Sequence, residues 1–327
     1  MNAMLAELPW ALEAGLKAAC VLAAFLVLPL AVGQLEHKLM GHMQGRLGPM
    51  EAGPHGIGQL VADGIKFAQK EDVVPAAADR PVFRLAPAVA LIPYLVALAA
   101  IPLAATWVAV DVPASLLLVL AVTSVGVIGT LMAGWGSGNK YSLLGGLRAG
   151  AQLVSYELPL VLAAASVAMA AGTLSLTGIV QEWSWWWLAW QAPAAFVFLA
   201  ASVAELQRTP FDAPVADSEI VFGPLTEYTG LRFAFFLLAE YAGIVVMALL
   251  FTVLFLGGWR GPWGDIGAVG ALWTLLKATG VAVLILWLRV AWPRVREDQL
   301  QRLAWLVLLP LALLQLAITG VGVVVLA

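Results

Sequence analysis

The sequence predicts an all-α integral membrane protein of about eight transmembrane helices with one additional amphipathic helix. Of its 327 residues, 62% are hydrophobic and only 11% are charged. This is too little charge to cover the surface of a soluble domain of the same size. Apolar runs long enough to cross a bilayer recur along the chain, and none shows the alternation of a β-strand. We therefore expect a single membrane domain over residues 1–327, with lipid as its main solvent.

Each transmembrane helix is predicted from an apolar run, since about 20 apolar residues are needed to cross the hydrocarbon. The runs cover residues 11–35, 84–107, 114–135, 153–172, 185–204, 233–257, 269–290 and 302–326. The first run follows no basic segment and precedes no small-residue cleavage site. We therefore expect it to be a retained helix and not a signal peptide.

The connection after the first run contains the amphipathic helix, at about residues 55–70. At 3.6 residues per turn, one of its faces is apolar and the other is polar. The apolar face holds Ile57, Leu60, Val61, Gly64, Ile65 and Ala68, and the polar face holds Gln59, Asp63, Lys66 and Lys70. A helix this polar is expected at the membrane surface. Two roles stay open for it: a surface anchor, or the lining of a ligand site that is reached from the lipid.

The distribution of basic residues predicts the orientation of the chain, because cytoplasmic connections are rich in lysine and arginine. All of the lysines and arginines except Lys17, Arg260 and Lys277 lie in or beside the connections after the first, third, fifth and seventh runs. We expect that side to be cytoplasmic. Both termini and the connections around Asp111, Glu182 and Asp265 are then expected outside.

Carboxylates within the apolar runs are the best indication of function, because charge inside a bilayer is costly and is usually functional. Glu157 lies a few residues into the fourth run, so we expect it about one turn from the rim. Arg232, Phe236 and Glu240 are spaced four apart in the sixth run and so share one helical face. Glu240 should lie roughly 12 Å deeper than Arg232, at 1.5 Å per residue.

More acids follow at the end of the fifth run. Glu205 is predicted in its last helical turn, because Pro210 disfavours helix just before it, and Arg208 is within reach of Glu205. Residues 208–232 add Asp212, Asp217, Glu219 and Glu227. One interpretation is a ladder of acids that take up and release protons. The other is that each acid only pairs with an arginine or caps a helix.

Several other functions are disfavoured by the composition. Cys20 is the only cysteine, so the chain has no disulfide framework and no thiolate cluster for an iron–sulfur centre. His37, His42 and His55 have no second ligand group at metal spacing, and the basic residues form no stripe for nucleic acid. A group of tryptophans at the outer end of the fifth run is expected at the headgroup level. These are Trp183, Trp185, Trp186, Trp187 and Trp190.

Four stretches carry motifs whose order, spacing and membrane depth coincide with those of one known family. The longest runs from Ala204-Glu205-Leu206-Gln207-Arg208-Thr209-Pro210-Phe211-Asp212 through Asp217-Ser218-Glu219 and Thr226-Glu227-Tyr228 to Ala239-Glu240-Tyr241. The others are Gln44-Gly45-Arg46-Leu47-Gly48-Pro49 with Ala62-Asp63-Gly64, Asn139-Lys140-Tyr141 with Ser155-Tyr156-Glu157, and Pro293-Arg294 with Asp298-Gln299-Leu300. On these residues the chain resembles the quinone-site membrane subunit of respiratory complex I, the proton-pumping NADH-quinone oxidoreductase. In that family the protein is called the H subunit or subunit 1.

The resemblance implies a multi-pass protein of the bacterial inner membrane that helps to form the chamber where quinone, the substrate, is reduced. FMN and iron–sulfur clusters would belong to partner subunits, and this chain would bind no cofactor alone. Its partners would be the quinone-module subunits of the peripheral arm, neighbouring membrane subunits, quinone and lipid. The quinone chamber would be bordered by Gln44, Arg46, Ala62, Asp63, Arg232 and Phe236. The proton path would consist of Glu157, Glu205, Asp212, Glu219, Glu227 and Glu240.

Two other functions are alternatives to this one. The anchor subunit of a related membrane-bound hydrogenase, or of a ferredoxin- or F420-linked oxidoreductase, would use a similar scaffold with a different electron input. The motif around Arg46 favours the quinone-reducing enzyme. A secondary transporter would place its carboxylates in broken helices near the midplane, whereas the acids here crowd the predicted cytoplasmic side.

Overall fold

The computed structural model describes residues 10–264 and 266–326, without the side chains of residues 217, 218 and 326. The side chain of Asp217 and the predicted outer position of Asp265 therefore lie outside the described residues. In the part of the chain that is described, every regular element is a helix, and the predicted all-α fold is confirmed.

The α-helices of these residues are numbered along the chain. They are α1 (Trp10–Met43), α2 (Gln59–Gln69), α3 (Arg80–Ala100), α4 (Ser115–Gly136), α5 (Lys140–Ala171), α6 (Leu176–Glu182), α7 (Trp187–Trp190), α8 (Ala192–Glu205), α9 (Asp217–Ile220), α10 (Gly230–Phe255), α11 (Gly267–Ala291), α12 (Glu297–Leu303) and α13 (Leu309–Leu326). A π-helical turn, Ala304–Leu308, joins α12 to α13 into one continuous helix. Short 3₁₀ turns lie at Pro54–Gly56 and Gly223–Leu225.

Seven of the described helices are long and apolar enough to cross a membrane: α1, α3, α4, α5, α10, α11 and the continuous helix from Glu297. The fifth predicted span, residues 185–204, is different, because it contains no helix of that length. It consists of the four-residue α7 and the 14-residue α8, and the helical conformation is interrupted between them at Gln191. At the break, the side-chain amide of Gln315 donates to the backbone carbonyl of Trp190 at 2.8 Å and so gives that group a partner. The side-chain amide of Gln191 donates to the hydroxyl of Thr319 at 3.2 Å.

Several boundaries differ from the prediction for local reasons. The second span ends at Ala100 and not at residue 107, because Ile101 precedes Pro102 and takes an extended conformation. The fourth span begins at Lys140 and not at residue 153, with the side chain of Asn139 accepting a hydrogen bond from the amide of Tyr141 at 2.9 Å. The predicted amphipathic helix exists as α2, and α6 was not predicted.

The position of each helix in the bundle follows from its burial. α10 is the most buried of the spans, whereas α1 and the continuous helix from Glu297 are mostly exposed at the periphery. α10 packs against α1, α3 and α11, and α5 packs against α4, α8 and α13. The predicted site residues Phe236 and Glu240 therefore lie on the most buried span.

The bundle has two chemically different ends. At one end, which we call the basic end, ion pairs join α1, α5 and α10 to residues 206–229, and a further ion pair joins α11 to α1. At the opposite end the contacts are mainly hydrogen bonds to backbone carbonyls, such as that from the indole of Trp183 to Phe255 at 3.1 Å. Trp183 and Trp187 are buried against protein there, whereas Trp185 and Trp186 are exposed. The position of the five tryptophans at the headgroup level stays a prediction.

Candidate functional site

A cavity of about 240 Å³ opens at the basic end between α3, α4, the end of α8, α10 and α11. We call it the polar cavity. Three of the predicted proton-path residues line it, namely Glu205, Asp212 and Glu240. Phe236, from the predicted quinone set, lines it as well, together with the basic residues Arg208 and Arg289.

A charged cluster of Glu36, Arg208, Glu240 and Arg289 lies beside the polar cavity. One guanidinium nitrogen of Arg208 donates to Glu36 at 2.6 Å, and another lies 2.7 Å from a carboxylate oxygen of Glu240. Arg289 also pairs with Glu36. The side chains of Arg208 and Glu36 are only 2% and 3% exposed, so this pair is removed from solvent. The cluster joins three helices, α1, α10 and α11, to the chain that follows α8.

The arrangement corrects one prediction, because Arg208 does not pair with Glu205 as its spacing suggested. α8 ends at Glu205 as predicted, but Gln207 then takes a positive φ of 52° and turns the chain. Arg208 is thereby directed toward Glu36, Glu240 and the ring of Tyr241, which lies 5.1 Å from its guanidinium carbon. Glu205 instead lines the polar cavity, where the charge of Glu157 acts on it.

Glu157 lies outside the lining of the polar cavity, on α5. Its half-buried carboxylate accepts a hydrogen bond from the hydroxyl of Ser124 on α4 at 2.5 Å. Because α5 begins at Lys140, Glu157 lies about 25 Å along the helix axis from the first residue of α5. The depth of Glu157, about one turn below the membrane rim, stays a prediction. Glu157 and Glu205 nevertheless interact electrostatically, so α5 and α8 bring the two acids close together.

The three acids of residues 206–229 whose side chains are described are each held by a partner. Asp212 lies 3.1 Å from Arg294, and Glu227 accepts from the amide of Asn139 at 2.6 Å. Glu219 accepts from Arg148 at 2.6 Å, and this hydrogen bond holds the pKa of its carboxyl group below the ordinary value. Of these acids only Asp212 lines the polar cavity. Glu219 thus attaches residues 206–229 to α5, and Glu227 attaches them to Asn139, the residue just before α5.

Of the residues predicted to border the quinone chamber, only Phe236 lines the polar cavity. Phe236 is buried at the cavity, but Arg232 pairs with Asp72 at 3.0 Å and lies over the ring of Phe83 at 5.7 Å. The remaining members lie in the connection after α1 and outside the cavity lining. There the guanidinium of Arg46 donates to Gln44 at 3.0 Å, and both side chains are exposed.

The other two members of that set lie on α2. Ala62 and Asp63 are half-buried, and Asp63 pairs with Lys66 at 2.6 Å. The predicted apolar face does not pack fully onto the protein, because Val61 and Ile65 are 56% and 54% exposed. The helix is instead held from another side, through Phe67 and Phe233 of α10, whose ring centroids are 5.6 Å apart. An apolar face left open in this way is available to lipid or to an apolar ligand.

Glu36 belongs to the charged cluster but was not among the residues predicted for the site. It follows directly after the predicted first span. A signal was present in the spacing of Phe25, Pro29, Gly33 and Glu36, which recur every three or four residues. These same residues form the buried stripe of α1. A carboxylate in line with a buried stripe must find a partner inside the protein.

Comparison with known proteins decides the family. Residues 16–320 match the family described as NADH dehydrogenase. The chain belongs to the NADH dehydrogenase family. The predicted resemblance is thereby confirmed.

Members of this family are similar to the chain over most of its length. The NADH-quinone oxidoreductase H subunit of Geobacillus kaustophilus (strain HTA426) is 47% identical over 289 residues, which cover 88% of this chain and 86% of that protein. The NADH-quinone oxidoreductase H subunit of Bacillus cereus (strain B4264) is 48% identical over 288 residues, covering 87% and 86%. The family match over residues 16–320 includes the residues of the polar cavity and of the charged cluster.

Proposed function

We propose that the chain is a membrane subunit of a proton-translocating NADH-quinone oxidoreductase, and that the polar cavity takes part in quinone binding and in coupling. The observation that carries the proposal is the buried bridge of Arg208 between Glu36 and Glu240, beside a cavity that Glu205 and Phe236 also line. Buried ionisable residues of this kind in a membrane protein mark ion or substrate pathways. The names of the relatives agree with this assignment.

In this proposal the electrons come from partner subunits. The chain has one cysteine and so cannot supply the thiolates of an iron–sulfur cluster. The iron–sulfur clusters and FMN belong to the peripheral arm, whose quinone-module subunits approach the basic end. Neighbouring membrane subunits pack against the spans. The chain would lie in a bacterial inner membrane with its basic end in the cytoplasm.

The size of the polar cavity suits part of a quinone. Its volume of about 240 Å³ exceeds the roughly 150 Å³ of an engineered cavity that holds benzene. A quinone ring therefore has room there, while its apolar tail must extend toward lipid. The exposed apolar face of α2 supports a place for that tail near the lipid, so we propose Gln44, Arg46, Ala62, Asp63 and Arg232 as residues of the quinone approach.

The charged cluster gives this site a way to respond to quinone chemistry. Two carboxylates and two guanidinium groups balance each other there. Negative charge that appears on the quinone during reduction would attract Arg208 and Arg289 and weaken their hold on the two acids. Glu240 is the more exposed of those acids, at 34%, and it is the one that we place on the proton path.

The remaining acids extend this response away from the cavity. Glu205 and Glu157 interact with each other and lead from the cavity into α5. Asp212, Glu219 and Glu227 belong to residues 206–229, which Arg208 anchors to the cluster. Coupling requires one element whose conformational equilibrium is shifted both by quinone reduction and by proton uptake. We propose that residues 206–229 are this element.

The test is quinone reduction measured together with proton pumping in membranes that carry Glu157→Gln or Glu240→Gln. Assembly of the complex is measured in parallel, by quantifying its subunits. Glu182→Gln is the matched control, because Glu182 is an exposed acid at the opposite end of the bundle. We expect both variants to assemble and to lose most quinone reduction or pumping, and the control to be unaffected. If both variants assemble and pump normally, the proposed proton path is wrong.

A further inference from the structure

The end of α10 that faces away from the polar cavity has carbonyl groups without partners inside the helix, as every helix does. After Phe255 the chain turns through Gly257 and Gly258, whose φ angles of 69° and 46° favour glycine. The carbonyl of Thr252 accepts from the amides of Leu256 and Gly258. The carbonyl of Phe255 accepts from the indole of Trp183 at 3.1 Å.

Three further carbonyls of this turn converge on one ammonium group. The Nζ of Lys277, on α11, donates to the carbonyls of Leu256 at 2.8 Å, Gly258 at 2.9 Å and Arg260 at 2.7 Å. A protonated lysine has three N–H donors and no acceptor, so the three carbonyls satisfy it fully. In the described part of the chain, Lys277 has no carboxylate within ion-pair distance.

Carbonyl oxygens at the unwound end of a membrane helix are the ligands with which transporters coordinate monovalent cations. The negative end of the helix dipole adds to the attraction. We propose that the carbonyl oxygens of Leu256, Gly258 and Arg260 form a monovalent-cation site that the chain fills with its own Lys277. A free cation of ammonium or potassium type would occupy the same oxygens if the lysine were removed.

The surrounding contacts show what this site holds in place. Trp273, one turn before Lys277 on α11, donates from its indole to the carbonyl of Pro262 at 3.0 Å. Arg260 donates to the carbonyls of Val180 at 3.0 Å and of Gln181. The turn after α10 is thus fastened to both α11 and α6. Lys277 is the charged member of this attachment, and it fixes α10 at the end opposite to Glu240.

Removal and replacement of the cation test the proposal in the full chain. Lys277→Ala empties the site, and Lys277→Met fills it with an apolar side chain of similar length. In native membranes, the midpoint temperature of aggregation of the tagged chain is measured with sodium, potassium, ammonium, methylammonium or tetramethylammonium chloride at equal ionic strength. We expect both variants to have a midpoint lowered by about 5 °C. For Lys277→Ala only, potassium, ammonium or methylammonium on the order of 100 mM should recover at least half of that decrease.

Lys17→Ala is the matched control, because Lys17 is a lysine of another span that pairs with Glu13 and not with carbonyls. It should show no recovery with any cation. A midpoint of Lys277→Ala equal to that of the parent protein, or one that no cation raises beyond the control, would overturn the proposal.

If Lys277→Ala does not accumulate, Lys277→Gln is measured instead, since it keeps N–H donors without the charge. Its midpoint should be lower than that of the parent, and an equal midpoint would overturn the cation site. None of these measurements depends on quinone reduction.

Discussion

At the scale of single residues, the site depends on charges that the protein has removed from water. Bringing a guanidinium and a carboxylate out of water costs several kcal/mol for each ion, and only close pairing offsets this. Arg208 meets the requirement with two carboxylates, Glu36 and Glu240, and with the face of Tyr241. The buried pair of Arg208 and Glu36 is therefore stable only while both residues are present.

Arg208→Met should destabilise the chain strongly, because it leaves the buried carboxylate of Glu36 with one partner where it had two. We expect a loss of about 3–5 kcal/mol in the free energy of unfolding, measured for the full chain in detergent. The double variant Glu36→Gln with Arg208→Met should recover part of this loss. Arg296→Met, whose side chain is 78% exposed, is the control and should cost less than about 1 kcal/mol. Equal losses for the two arginine variants would contradict the role given to burial.

The attachment of Glu219 to Arg148 should depend on pH. Because the pKa of Glu219 is lowered in the folded chain, the attachment is complete above the ordinary glutamate pKa of about 4.3 and is lost as pH falls through the lowered value. Hydrogen exchange of residues 213–222, corrected for intrinsic rates, should show protection that decreases in this range. Glu219→Gln should reduce protection already at pH 7 and flatten the pH dependence. The same pH dependence in the variant would assign it to another group.

At the scale of helices, close packing depends on glycine where two backbones meet. A Cβ atom added at Gly129 of α4 would lie 2.4 Å from the backbone nitrogen of Ala90 on α3. Similarly, a Cβ atom at Gly134 would lie 2.6 Å from the carbonyl oxygen of Ser142 on α5. These contacts hold α3, α4 and α5 together next to the polar cavity. Small residues at such positions let membrane helices approach closely.

Gly129→Ala should therefore destabilise the bundle, since the backbone of α3 cannot move away as a flexible side chain would. We expect a cost of about 1–3 kcal/mol in thermal unfolding of the full chain. Gly280→Ala on α11 is the matched control, because an added Cβ meets nothing within 4 Å there. It should be neutral or stabilising by up to about 1 kcal/mol, from helix propensity alone. Equal effects of the two substitutions would show that the α3–α4 contact is looser than described.

At the scale of the whole molecule, the two ends of the bundle are held by different chemistry. Ion pairs gather residues 206–229 onto the basic end, whereas carbonyl contacts from Lys277 and Trp183 close the opposite end. The central helix α10 runs between them. The basic end can thus respond to charge while the opposite end holds α10 in position.

The predicted orientation of the molecule can be tested by labelling. In a chain with Cys20→Ser, cysteine is placed at Glu182 or at Arg296, both of which are exposed. A maleimide that does not cross membranes should label the Glu182 variant in intact cells. It should label the Arg296 variant only after the membrane is permeabilised, because positively charged connections stay in the cytoplasm. The reverse pattern would invert the proposed topology.

Much of this fold was predictable from the sequence, because the hydrophobic effect and membrane thickness act on the composition of each segment separately. The apolar runs located seven long spans, and the spacing of residues 55–70 located α2. Helix ends were less predictable where tertiary contacts replace local signals. The glycine-rich start of α5 was predicted as a connection, yet it is helical because glycine lets it pack closely against α4.

The sequence by itself determined the fold class, the family and the identity of most acids near the polar cavity, since these follow from composition, periodicity and motifs. Only the tertiary structure decided which charges pair. Arg208 is three residues from Glu205 but pairs with Glu36 and Glu240, which are 172 and 32 positions away. The reason is physical: a buried charge takes the partner that the packing of helices brings within about 3 Å, and distance along the chain does not specify that packing.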